Sequence, residues 1–181
     1  GEERRRVPEV DPRGLRRGFR EELVDLEAGT MGGLGLVVEQ LDRTMEALRH
    51  ADVELAELVI ANDDRVDGRY LEVHQGVLSL LALQAPVGGD LRIVAALLQV
   101  IKNVERMGDQ CVNICKVIPM TGHAPPADEE MVRLILSMGS HTKALSVQSK
   151  RAFCERNIEM ARDLVVRDDV GDACGVPTTR V

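Results

Sequence analysis

Apolar residues at alternating three- and four-residue spacing run through three successive stretches of this chain, a period that confines it to amphipathic helices. The first stripe reads Phe19, Leu23, Leu26, Leu34, Val37, Leu41, Met45 and Leu48, with Thr30 filling one position polar. The second reads Leu55, Val59, Val66, Tyr70, Val73, Val77 and Leu81, and the third Leu91, Val94, Leu98, Ile101, Val104, Val112 and Cys115. Asp52 is placed to cap the second helix, which ends before Pro86. Gly88 and Gly89 turn the chain, Asp90 is placed to cap the third helix, and Pro119 closes it. Helices of about 30 residues joined by turns this short must run up, down and up. Gly29, Gly32, Gly33 and Gly35 weaken the first helix and predict a kink or a close helix contact there.

The core behind these stripes is aliphatic, because Phe19, Tyr70 and Phe153 are the only aromatic residues. A formal charge of −7 and the scarcity of stacking rings argue against nucleic acid as a partner. The one basic run, Arg4 to Arg6 with Arg13, Arg16 and Arg17, lies in a segment broken by Pro8, Pro12 and Gly14 and reads as a flexible leader over 1–18. It lacks the apolar stretch of a secretory signal and allows at most peripheral attraction to an acidic membrane. Ser79, Gln84 and Lys102 interrupt the most apolar stretches, so none reaches the ~18 residues of a membrane helix. Cys111, Cys115, Cys154 and Cys174 have neither CxxC spacing nor the density of a disulfide scaffold, which fits a cytoplasmic location.

A segment over 120–127, with Gly122, Pro125 and Pro126, reads as a linker. Beyond it Met131, Leu134, Met138, Leu145, Ala152 and Phe153 start a helix of the same kind, and the chain repeats itself. At an offset of 105, Ala47, Val53, Glu54, Leu55, Ala56, Asp63, Asp64 and Asp67 meet Ala152, Ile158, Glu159, Met160, Ala161, Asp168, Asp169 and Asp172. The expected fold is therefore all-α: an antiparallel three-helix bundle over 19–119, spectrin-like in its up-down-up course, followed by a truncated second repeat over 128–181. Residues 173–181 show no helical period, so the second repeat's apolar faces lack a partner helix, and self-association into a homo-oligomer or local disorder is expected.

The carboxylates carry the sharpest chemical pattern. Glu105 and Asp109 stand four apart on the flank of the third stripe, with Asn113 continuing the line, and Asp63 and Asp67 do the same on the second. Both pairs lie some twenty residues from the hairpin turn, on either side of it, so antiparallel packing sets them at one level. Four oxygen donors on two adjacent helices suit hard cations. On spacing alone the commoner use of such a pattern is a solvated acidic face, and that reading stays open. No Glu-x-x-His motif accompanies the acids, which disfavours a di-iron oxidase, and no nucleophile with a neighbouring base or P-loop occurs. Cys111 with Cys115, and separately His50 and His74, read as ordinary core or surface residues.

The segment from Leu80 to Asp109, LLALQAPVGGDLRIVAALLQVIKNVERMGD, resembles the signature of the PhoU family: a leucine-rich run, Gln-x-Pro-Val, Asp-Leu-Arg and Glu-Arg-x-Gly-Asp. Met45 to Asp67 is similar to the family's first hairpin, and Arg151 to Asp169 to its counterpart in a second repeat. The resemblance implies two three-helix repeats and, as in some members, a multinuclear metal cluster bound through paired Glu/Asp-x-x-x-Asp motifs. Those motifs match Asp63 with Asp67 and Glu105 with Asp109. The metal implied is iron or another divalent or trivalent cation, with manganese, magnesium and zinc as alternatives. The implied role is non-enzymatic: restraint of phosphate uptake and starvation signalling through the phosphate ABC transporter's ATPase subunit and a phosphate-sensing histidine kinase. Asn103 stands where members often carry an acid, and the second repeat stops before its third-helix acidic motif, which leaves one complete set of pairs. A metal-dependent helical carboxylate enzyme and a metal-free oligomerisation module are the alternative readings.

Overall fold

The computed structural model of the chain describes residues 12–121 and 128–173, with side chains over 17–120 and 128–168. Every regular element among them is helical: α1 (Pro12–His50), α2 (Val53–Ala61), α3 (Asp64–Gln84), α4 (Gly89–Val117), a 3-10 turn (Ile118–Thr121), α5 (Glu129–Cys154) and α6 (Ile158–Ala173). The first helix opens at Pro12, where a fixed φ suits an N-terminal turn, so residues 12–18 of the expected leader are helical. Residues 1–11 and most of the expected linker lie outside the described residues.

Helices α1, α3 and α4 form the bundle. Antiparallel pairing of α1 with α3 shows in Gly29 against Val73 and in Gln40 bonded to Asp63. Gly33 against Ile101, and Thr44 against Cys115, show α4 running parallel to α1. Between the three, Val37, Val77, Leu80, Val94, Leu97 and Ile101 are fully buried. Each such side chain contributes roughly 1.5–3 kcal/mol by leaving water. Gly33 is the close contact that the glycine run foretold: a Cβ there would stand 3.1 Å from Arg69 Cγ and 3.2 Å from Ile101 Cδ1.

Two expectations about the second and third helices need correction. The second helix is broken at Asn62 and Asp63 into α2 and α3. Asn62 turns its Nδ2 back onto the Leu58 carbonyl at 2.8 Å, the local bond by which Asn competes with a helical backbone. Asp63 then occupies the N-cap of α3 with helical dihedrals and no side-chain capping bond, which leaves its carboxylate available to other partners. At the hairpin, the N-cap of α4 is Gly88 at φ 61°, a left-handed conformation that glycine takes without strain, and Asp90 sits in the first turn instead.

The repeat at an offset of 105 is structural as well as sequential. Ala51 (φ 50°) and Arg156 (φ 52°) make the same left-handed turn. Asp52 and Asn157 bond Leu55 N and Met160 N at 2.9 and 3.0 Å, and their own amides reach the carbonyls of Ala47 and Ala152 at 2.9 Å each. Antiparallel to α1 lies α5, tied by Lys143 to Asp42 at 2.7 Å, by Met45 over Gly139, and by Arg156 to Glu27. Met131, Leu134 and Met138 on α5 remain exposed, as do Ile158, Val165 and Val166 on α6. No helix among the described residues is long and apolar enough to cross a membrane.

Candidate cation site

The four acids singled out in the sequence meet on one patch where α3 crosses α4. Asp63 and Glu105 are half-buried, whereas Asp67 and Asp109 are exposed. Burial and then the charges of Asp63, Asp109 and Asp64 push the Asp67 carboxyl above its ordinary value. Burial first, followed by Asp109, Asp67 and Asp63, pushes Glu105 up in the same way, with Arg106 opposing. Asp67 thus feels Asp63 and Asp109, Glu105 feels all three of the others, and the field of the patch favours whatever positive charge enters it. Among the described residues no three His, Cys, Asp or Glu side chains already converge tightly enough to hold a metal ion. The carboxylates stand as electrostatic neighbours and not as a closed coordination shell.

Two residues absent from the sequence expectations build the floor of the patch. Gln40 of α1 is 7% exposed and donates from Nε2 to Asp63 Oδ1 at 3.0 Å. The opposite end of its amide, Oε1, is buried with no hydrogen-bond partner. Gly108, inside the Glu-Arg-x-Gly-Asp segment, lets α4 come close: a Cβ there would lie 3.2 Å from Val66 Cγ1 and 3.3 Å from both Asp63 Oδ1 and Gln40 Oε1. A signal for Gln40 was present. Val37, Gln40, Thr44 and Ala47 follow three-four spacing and are all buried, so the glutamine is a polar residue in a core register.

Of the residues set aside in the sequence, Cys111 and Cys115 are buried beside Thr44, and burial pushes the Cys111 thiol up to about 11. A protonated core thiol is inert. His74 packs its ring 5.4 Å from that of Tyr70, and His50 is exposed. In the second repeat Asp168 is exposed on α6, while the side chain of Asp172 lies outside the described residues.

Comparison with known proteins places these features in a wider set. A family model described as the PhoU domain matches residues 34–118, which hold all four acids, Gln40 and Gly108. Over 159 residues the chain is 31% identical to the phosphate-specific transport system accessory protein PhoU homolog of Clostridium acetobutylicum, covering 87% of this chain and 72% of that relative. Identity and coverage are the same against PhoU homolog 1 of Mycobacterium tuberculosis. Among solved structures, the phosphate transport system regulatory protein PhoU from Streptococcus pneumoniae superimposes with a TM-score of 0.76 at 28% identity, over 86% of this chain and 72% of that one.

Proposed function

This chain belongs to the PhoU family, and from that premise we propose that it is an accessory regulator of a phosphate-specific transport system, restraining phosphate uptake and phosphate-starvation signalling. The observation that carries the reading is the likeness of 87% of the chain to a transport accessory protein. It acts as a helical adaptor, without a reaction of its own, engaging the transporter's ATPase subunit and a phosphate-sensing histidine kinase on the cytoplasmic side of the membrane. The exposed apolar residues of α5 and α6 supply surface for association, including self-association.

The acidic patch belongs to the same reading as a cation site. Its donors are oxygens throughout, which suits magnesium, manganese or ferric iron better than a thiolate- or imidazole-seeking metal such as zinc. Asp63 and Asp67 from α3 and Glu105 and Asp109 from α4 would hold the ion. A bound cation supplies positive charge that cancels the repulsion between the two helices and so stiffens the bundle on which partners dock.

Co-purification tests the adaptor. The tagged chain is expected to retain the transporter ATPase subunit and the histidine kinase from detergent-solubilised membranes, and phosphate uptake should rise in cells lacking it. Retention of neither partner, with uptake unchanged, overturns the proposal. Elemental analysis of chain purified without chelator tests the ion: bound metal is expected, and it should fall sharply in Asp109→Ala.

A further inference from the structure

We propose that the side-chain carbonyl of Gln40 is the ligand that α1 contributes to the cation site, making it a three-helix site with a neutral oxygen among its carboxylates. The inference rests on the cation reading above. Gln40 is an amide with its two ends in opposite situations. Nε2 is committed to Asp63 Oδ1 at 3.0 Å, and a carboxylate accepts only from a donor, so the flipped amide would set oxygen against oxygen. The orphan is therefore the carbonyl, an acceptor buried with no protein hydrogen-bond partner.

Leaving such an acceptor unsatisfied in a helix interface costs about 1–3 kcal/mol. That cost is avoidable in the sequence, since a methionine of similar shape would fill the position. The orphaned oxygen also lies beside Gly108, the chain neighbour of Asp109. Gln40 Oε1 and Asp63 Oδ1 are equidistant, at 3.3 Å, from the point where Gly108 would carry a Cβ. The missing side chain at Gly108 thus lets α4 pack close to an amide carbonyl and a carboxylate that face the same point. Hard cations accept amide carbonyls and carboxylates together, and a neutral donor lets the shell fill without adding to the repulsion among Asp63, Asp67, Glu105 and Asp109.

The test uses the whole chain, stripped with chelator and titrated with Mn²⁺ by calorimetry. Gln40→Met is expected to weaken Mn²⁺ binding about tenfold or more, the scale on which supporting groups act at metal sites. In the unsubstituted chain, saturating Mg²⁺ should shift the Gln40 side-chain NH₂ signals in a ¹⁵N spectrum, because coordination of the carbonyl polarises the amide. Parent and Gln40→Met binding Mn²⁺ equally, or NH₂ signals unmoved by Mg²⁺ at saturation, overturns the proposal while leaving the cation site standing; a water or a purely structural role for Gln40 gives that result. A parent chain that binds neither ion overturns both.

Discussion

At the scale of single residues, the acidic patch is a place where the fold tolerates repulsion. Both Asp67 and Glu105 have carboxyls raised above their ordinary values of 3.8 and 4.5, through burial first and their acidic neighbours second. A raised folded-state value means that, between it and the unfolded value, the folded chain holds more protons than the unfolded one. Stability therefore falls as pH rises through that window, and the full cost is present above it. In chelator, Asp67→Asn combined with Glu105→Gln is expected to melt at a higher temperature than the parent at neutral pH. The gap should close as pH falls below the ordinary carboxylate values, and a gap independent of pH would show that charge is not its cause. Gly108→Val makes the complementary point about space. The new side chain meets Val66, Asp63 and Gln40 at once, and destabilisation of about 1–3 kcal/mol is expected in chemical denaturation. The spacing of the sequence revealed the four acids because helix geometry fixes which residues share a face. It placed Gln40 in a core register without revealing its use, and it gave no sign of the role of Gly108, because both arise from a contact between α1, α3 and α4 that no single helix encodes.

At the scale of elements, the helices were legible and their joints less so. The three stripes named buried residues such as Val37, Val73 and Ile101 correctly, because burial follows the helical period. They missed Leu80 and Leu97, both fully buried, since the interface between three helices is wider than one row of side chains. The break at Asn62 escaped because it depends on a side chain choosing a local carbonyl over solvent, which the period does not register. The α1–α2 turn offers an element-level test. Ala51 is held at φ 50°, a conformation that costs an L-residue roughly 1–2 kcal/mol and a glycine very little. After glycine's greater loss of chain entropy, Ala51→Gly should stabilise the protein by about 0.5 kcal/mol. Its counterpart Arg156→Gly should not, because it also removes the bond to Glu27 and the guanidinium stacked 4.9 Å over Phe153. A rise in melting temperature for both substitutions would mean that the Arg156 contacts contribute nothing to docking α5 on α1.

At the scale of the whole molecule, the described chain consists of a bundle and an appendage that share a turn motif and differ in what they bury. Helices α1, α3 and α4 enclose a continuous core, whereas α5 buries only Gly139, set against Met45 of α1, with Ser146 and Ala152, and leaves Met131, Leu134 and Met138 in solvent. Of the elements described, α5 is the only one on which α6 packs to any extent, and its amphipathic character is weak. Opening free energies follow buried apolar area, so they should descend from α4 through α5 to α6. Native-state hydrogen exchange is expected to show the amides of Val94 to Val104 opening only by global unfolding, those of α5 opening at an intermediate cost, and those of α6 exchanging first. Glu27→Ala, which strips the Arg156 guanidinium of its partner, should lower protection in α5 and α6 and leave α4 unchanged. Equal protection across all three helices would mean that the second repeat is integral to the first. The described residues present a well-buried bundle beside a pair of helices with exposed apolar faces. Partner binding at those faces should therefore register as slowed exchange in α5 and α6, with α4 as the internal standard.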